Sequence, residues 1–121
     1  MKAREVLIRI ESLEEAGKRF AEAYKQIKQG KKLAKEEVLA FESIEILRKV
    51  LTRQRIELLR LIREKQPATI YQLAKFANRA YPNVFQDVKI LDGLGLIKLE
   101  ESNRNIEPIA KYSLLKIAIS V

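Results

Sequence analysis

Apolar residues recur at two spacings along the chain, and the switches between them mark out its elements. From Glu5 to Glu11, Val6, Ile8 and Ile10 alternate with charged Glu5, Arg9 and Glu11, the period of a half-buried strand, with Leu7 breaking the rule. Ser12 then opens Ser-Leu-Glu-Glu, where the Ser12 hydroxyl and Glu15 three residues on make a capping box. Behind it Leu13, Ala16, Phe20, Ala23, Tyr24 and Ile27 form one apolar stripe on a helix that Gly30 ends. Lys31 to Lys35 is basic and aperiodic, a loop whose Lys31, Lys32 and Lys35 read as solvated, and Glu37 to Glu42 reads as a second strand. Strand, helix and strand over residues 1–43 are compatible with a small crossover unit, the pairing of the strands being left open by the sequence.

The period then stays helical. Ser43 caps a short helix to Val50 or Leu51, and Thr52 caps a longer one to about Lys65, ahead of Pro67. In the longer helix Ile56, Leu58, Leu59, Leu61 and Ile62 supply a broad apolar face, the floor under the next two helices. Thr69 to Ala77 carries a second capping box, Thr69 with Gln72, and turns Leu73, Ala74, Phe76 and Ala77 inward. Asn78 suits a left-handed turn residue, and Pro82 suits the first turn of the next helix, where its missing N–H is no loss. Val84, Val88 and Leu91 make the inner stripe of that helix, with Leu94 after them, and Gly95 closes it. Leu96 to Glu100 reads as a strand, Glu101 to Asn105 as a polar hairpin tip and Ile106 to Ile109 as its return. In the tail Leu115, Ile117, Ile119 and Val121 alternate with Lys116, Ala118 and Ser120, a final strand that needs a partner. The first strand is the obvious one, within the chain or across a dimer.

Helix, helix, turn, helix and hairpin in this order are the elements of a winged helix-turn-helix. The expected fold is therefore α+β, with a β-α-β extension over 1–43 and a winged helix-turn-helix with a C-terminal strand over 44–121. A helix-turn-helix holds one helix in the major groove so that its outward side chains reach base edges. Here the outward set is Asn83, Phe85, Gln86 and Lys89, preceded by Arg79 and Tyr81. Asn and Gln can pair with adenine, Arg and Lys with guanine or phosphate, and Phe packs on a thymine methyl. Arg53, Arg55 and Tyr71 are candidate phosphate clamps, and Arg104 in the tip Ser102–Asn105 is a candidate wing contact, with Glu100 and Glu101 opposing it. The competing reading is an ordinary polar face on a surface helix.

Composition agrees with a polyanion as partner. The 121 residues carry a net charge of +8, and residues 44–95 hold ten basic against five acidic side chains, five of the eight surplus charges. With 47% hydrophobic and 33% charged residues the chain has the composition of a soluble domain with a real core. The absence of Cys and His removes thiolate chemistry, the commonest metal ligand and the commonest general base, so no enzyme, metal site or cofactor is expected. Gly93-Leu94-Gly95 ends a helix instead of opening one and is no phosphate loop. Asp87 and Asp92 do not share a helical face, and Asp87 reads as a structural partner for a nearby Arg. No apolar run reaches the ~20 residues of a membrane span, and no signal-peptide core opens the chain, which implies a cytoplasmic protein.

The run from Phe41 to Leu59, with Leu51-Thr-x-x-Arg55, and the spacing Tyr81-x-x-Val-x-x-Asp87-Val88 before Gly95-Leu-Ile resemble a family of short prokaryotic transcriptional regulators with a MarR-like winged helix. The resemblance spans about residues 38–121. It implies double-stranded DNA as ligand and a sequence-specific transcriptional regulator. It also implies that some members are antitoxins that bind a cognate toxin and repress their own operon. The chain departs from the pattern at Asn78, Ala80 and Phe85-Gln86. A homodimer is expected, since one module of this size makes few base contacts and operators are commonly two-fold. The alternative is a protein-interaction module that docks a toxin or a polymerase subunit.

Overall fold

The computed structural model describes residues 4–33 and 37–121, so Lys35 of the basic loop lies outside them. In chain order the elements are β1 (Glu5–Ile10), α1 (Leu13–Lys28), β2 (Val38–Phe41), α2 (Ile44–Val50), α3 (Arg53–Lys65), α4 (Ile70–Ala77), α5 (Tyr81–Gly93), β3 (Ile97–Ser102), β4 (Asn105–Ala110) and β5 (Leu114–Ile119). This is a mixed α+β chain with five helices and two small sheets among the described residues. It divides into two compact units, residues 5–50 with 114–121, and residues 51–113 with Arg4. That division moves the boundary expected after Ser43. The physical cause is pairing: β5 bonds to β1, and α2 packs against β2, so both belong with the first unit.

The first unit is built on β1. It lies between β2 and β5 and runs parallel to both, with Ile8 opposite Leu39 on one side and Ile117 on the other. Parallel neighbours need a crossover, and α1 supplies the one from β1 to β2. Glu15 N–H donates to Ser12 Oγ at 3.1 Å and Ser12 N–H donates to Glu15 Oε1 at 3.4 Å, the capping box that starts α1. Arg19 on α1 reaches back to Glu11 at 2.6 Å and ties the helix to the end of β1. Val6 and Ile8 are buried, yet α1 buries no residue. Leu13, Phe20, Tyr24 and Ile27 are each more than half exposed, as are Ile117 and Ile119 on β5.

The second unit packs α3, α4 and α5 together and against the β3–β4 hairpin. Its core is Leu58 and Ile62 of α3, Ile70, Leu73 and Ala74 of α4, Val84, Val88 and Leu91 of α5, and Leu96 and Ile97 after it. Burying each Val or Leu of the α5 stripe contributes about 1.5–3 kcal/mol. Five members of the expected inward faces are outside this core: Leu59, Leu61 and Ala77 are half-buried, Ile56 is 40% exposed and Phe76 44%.

Turn chemistry fixes how α4 and α5 end. Gln72 N–H donates to Thr69 Oγ1 at 3.0 Å, while Gln72 Oε1 accepts from Ala68 N–H at 2.7 Å, one residue earlier than a capping box closes. Asn78 takes the left-handed conformation, φ 53° and ψ 47°, with Arg79 N–H bonded to the Ala74 carbonyl. Gly95, at φ 77°, does the same after α5: its N–H meets the Asp92 carbonyl and Leu96 N–H the Leu91 carbonyl. Leu96 and Leu91 are both buried, the apolar contact that accompanies this motif. The hairpin strands are longer and the tip shorter than expected, with Asn103 and Arg104 alone at positive φ, a two-residue turn whose twist suits the strands.

Candidate nucleic-acid interface

The α5 helix has two faces fixed by its spacing. Val84, Val88 and Leu91 are fully buried, which turns Asn83, Gln86 and Lys89 to solvent. Ala80 precedes the helix in extended conformation and makes no side-chain cap, as a methyl side chain must. Pro82 in the first turn removes one donor that no cap would have met.

Two arginines expected at the surface are engaged elsewhere. Arg79 Nη2 meets Asp87 Oδ2 at 2.8 Å and Arg55 Nε meets Asp87 Oδ1 at 3.1 Å, with all three side chains largely buried. One carboxylate thus fastens α5 to α3 and to the α4–α5 turn, the structural role expected of Asp87. Arg79 is correspondingly drawn away from the outward set, and Arg55 from the phosphate-clamp role expected of it. Arg79 Nη1 is buried without a hydrogen-bond partner, so this guanidinium is held by one edge.

On the outward side the structure brings three rings together. Tyr71 of α4 lies 6.2 Å from Tyr81, and Tyr81 stacks on Phe85 at 5.8 Å with 27° between the planes. Lys75 Nζ sits over the Tyr71 ring at 4.9 Å and Lys89 Nζ over the Phe85 ring at 5.4 Å. Tyr71 is 59% exposed and Tyr81 42%, so the row is a surface feature. Beside it Tyr71, Lys75, Asn78, Arg79 and Tyr81 line a cleft of about 420 Å³. Lys75 is missing from the sequence-derived set, although the i, i+4 pairs Tyr71–Lys75, Tyr81–Phe85 and Phe85–Lys89 all place their members side by side on a helix.

The remaining candidates stand apart from this row. Arg53 is exposed in the first turn of α3, and Arg104 is exposed at the hairpin tip with φ 67°. Glu100 on β3 pairs with Lys98 at 3.0 Å, which offsets part of the acidic shoulder, while Glu101 is exposed. Between Thr69 and Leu91 the sequence holds one carboxylate, Asp87, against Lys75, Arg79 and Lys89. Asp87 is neutralised by two guanidinium groups, which leaves the exposed Lys75 and Lys89 against the exposed Asp92 in the last turn of α5.

Among the described residues no cluster of His, Cys, Asp and Glu is suited to a metal ion, and no helix is long and apolar enough to cross a membrane. A family model, HVO_A0114, matches residues 50–117. The chain belongs to the HVO_A0114 family. The HVO_A0114 segment takes in α3, α4, α5, the hairpin and the first residues of β5, and so includes the ring row and the Asp87 clamp. β1, α1 and β2 precede it. No curated protein matches the chain.

Proposed function

We propose that α3, α4, α5 and the β3–β4 hairpin are a MarR-like winged helix-turn-helix, and that the chain is a sequence-specific regulator of transcription that binds double-stranded DNA. The observation that carries this is α5 itself, with Val84, Val88 and Leu91 buried and Asn83, Gln86 and Lys89 displayed opposite them. In this role α5 enters the major groove, where Asn83 and Gln86 meet base edges and Lys89 a phosphate or guanine. Arg53 and Arg104 are placed on exposed turns for backbone contacts, and the hydroxyls of Tyr71 and Tyr81 suit the same task. Arg55 and Arg79 act through Asp87 by setting the angle of α5. Such work needs no cofactor and belongs in the cytoplasm. Selection of bound fragments from random duplex DNA tests it: a consensus should emerge, and Gln86→Ala should change it. Recovery of an unenriched pool would sink sequence-specific readout.

The α1 stripe supports a partner chain as well. Leu13, Phe20, Tyr24 and Ile27 leave an apolar stripe exposed along α1, the kind of surface that marks an interaction site. A second copy is the occupant that a two-fold operator calls for, and the acidic first turn and basic last turn of α1 are complementary when two such helices run antiparallel. A toxin seated on this stripe would make the chain an autoregulating antitoxin, and a protein-docking module without DNA readout is the competing assignment. Sedimentation of the pure protein separates these, since a homodimer forms without any other chain.

A further inference from the structure

The ring row on α4 and α5 has a chemistry that amide and lysine contacts do not explain. Three aromatic side chains lie at the point where the first turn of α5 meets α4, in a region otherwise bearing Asn83, Gln86 and lysines. Exposed rings beside polar base edges would leave the hydrogen-bonding groups of those edges unpaired, which disfavours such contact. The apolar group that a duplex offers in its major groove is the C5 methyl of thymine, and a methylated cytosine presents the same group at the same ring position. A neighbour already lies over a face of each ring, either another ring or a lysine ammonium. That arrangement suits methyl contact in a duplex better than the bare stacking platforms that hold single strands. The flanking Lys75 and Lys89 supply the charge that draws the row onto a polyanion, and the nearby carboxylate of Asp87 is neutralised.

We propose that Tyr71, Tyr81 and Phe85 read pyrimidine C5 methyl groups in the major groove, so that the protein prefers thymine to uracil and 5-methylcytosine to cytosine. This rests on the assignment of α5 as the groove-binding helix and adds the group it recognises. A second consequence is that cytosine methylation of a target tightens binding.

Fluorescence anisotropy on the full chain tests it with duplexes of alternating dA and dT against dA and dU, and of alternating dG and dC against dG and 5-methyl-dC. Each pair differs only in the methyl. Affinity should fall about fourfold for each contacted methyl lost, and rise by the same factor for each one gained. Replacing Tyr71, Tyr81 and Phe85 together by Ala should bring both ratios to one, whereas Phe85→Leu, which keeps an apolar side chain, should retain them. Equal binding of the thymine and uracil duplexes overturns the proposal while leaving duplex binding intact. Tighter binding of the single strands than of the duplexes also overturns it, in favour of base stacking. Binding to none of the probes removes the underlying assignment of α5 along with it, a distinguishable result.

Discussion

In residues 51–113 each of the three helices finds a partner for its apolar stripe within the chain, with Leu58, Leu73, Val84 and Val88 fully buried, whereas α1 leaves Leu13, Phe20, Tyr24 and Ile27 to solvent. Both regions have the same amphipathic signature in sequence. The difference lies in what covers the stripe, which local periodicity does not encode. A buried stripe defines a fold and an exposed one is open to a partner, the role proposed for α1, so equal patterns carry unequal meanings in the two units.

The sharpest way to break this contrast is through the ion-pair clamp. Asp87→Ala leaves the guanidinium groups of Arg55 and Arg79 largely buried without their carboxylate, and should destabilise the second unit by about 3 kcal/mol, read from urea denaturation. Leu73→Ala comes next. It opens a cavity at a fully buried position and should cost roughly 2–3 kcal/mol. The matching change on α1, Phe20→Ala, should alter the stability of a monomer by no more than ~0.5 kcal/mol. It should instead shift the sedimentation of the protein from dimer toward monomer. If Phe20→Ala destabilised a monomeric protein as much as Leu73→Ala, the exposed stripe would be core after all.

The smallest effect concerns the tie from α1 to the end of β1. The hydrogen bond from Arg19 holds the Glu11 carboxyl below the usual carboxylate range, and the charges of Arg19 and Arg9 add to that against partial desolvation. A lowered folded-state pKa stabilises at pH values above the ordinary carboxylate pKa, and the contribution is lost as pH falls through the lowered value. Glu11→Gln should therefore lower stability slightly at neutral pH, leave it unchanged at the acid end, and so flatten the limb between them. An unaltered acid limb would show that the bond contributes nothing measurable.

Much of the second unit is legible in the sequence because its signals are local. Thr52, Thr69, Asn78 and Gly95 each perform the capping or turn role that their side chains or lack of one suggest, and Val84, Val88 and Leu91 are the buried stripe of α5. Features that depend on distant partners are less legible. The Arg55–Asp87 bond spans 32 residues, so nothing in the pattern around Arg55 distinguishes it from exposed Arg53. Likewise the alternation in β5 shows a strand, and β1 is its obvious partner, but the parallel register and the consequent move of residues 114–121 into the first unit come only with the fold. The ring row is an intermediate case. The sequence marks Tyr81 and Phe85 as separate contacts, and Tyr71 as a phosphate clamp, while their assembly with Lys75 depends on how α4 meets α5.

Whether α5 is a DNA-reading helix is addressed most directly by the salt dependence of duplex binding. Anisotropy titrations from low to physiological salt should show log Kd rising linearly with log salt, with a slope that Lys89→Ala reduces by about one. A duplex affinity that does not change with salt, or one that Lys89→Ala, Asn83→Ala and Gln86→Ala all leave untouched, would contradict it.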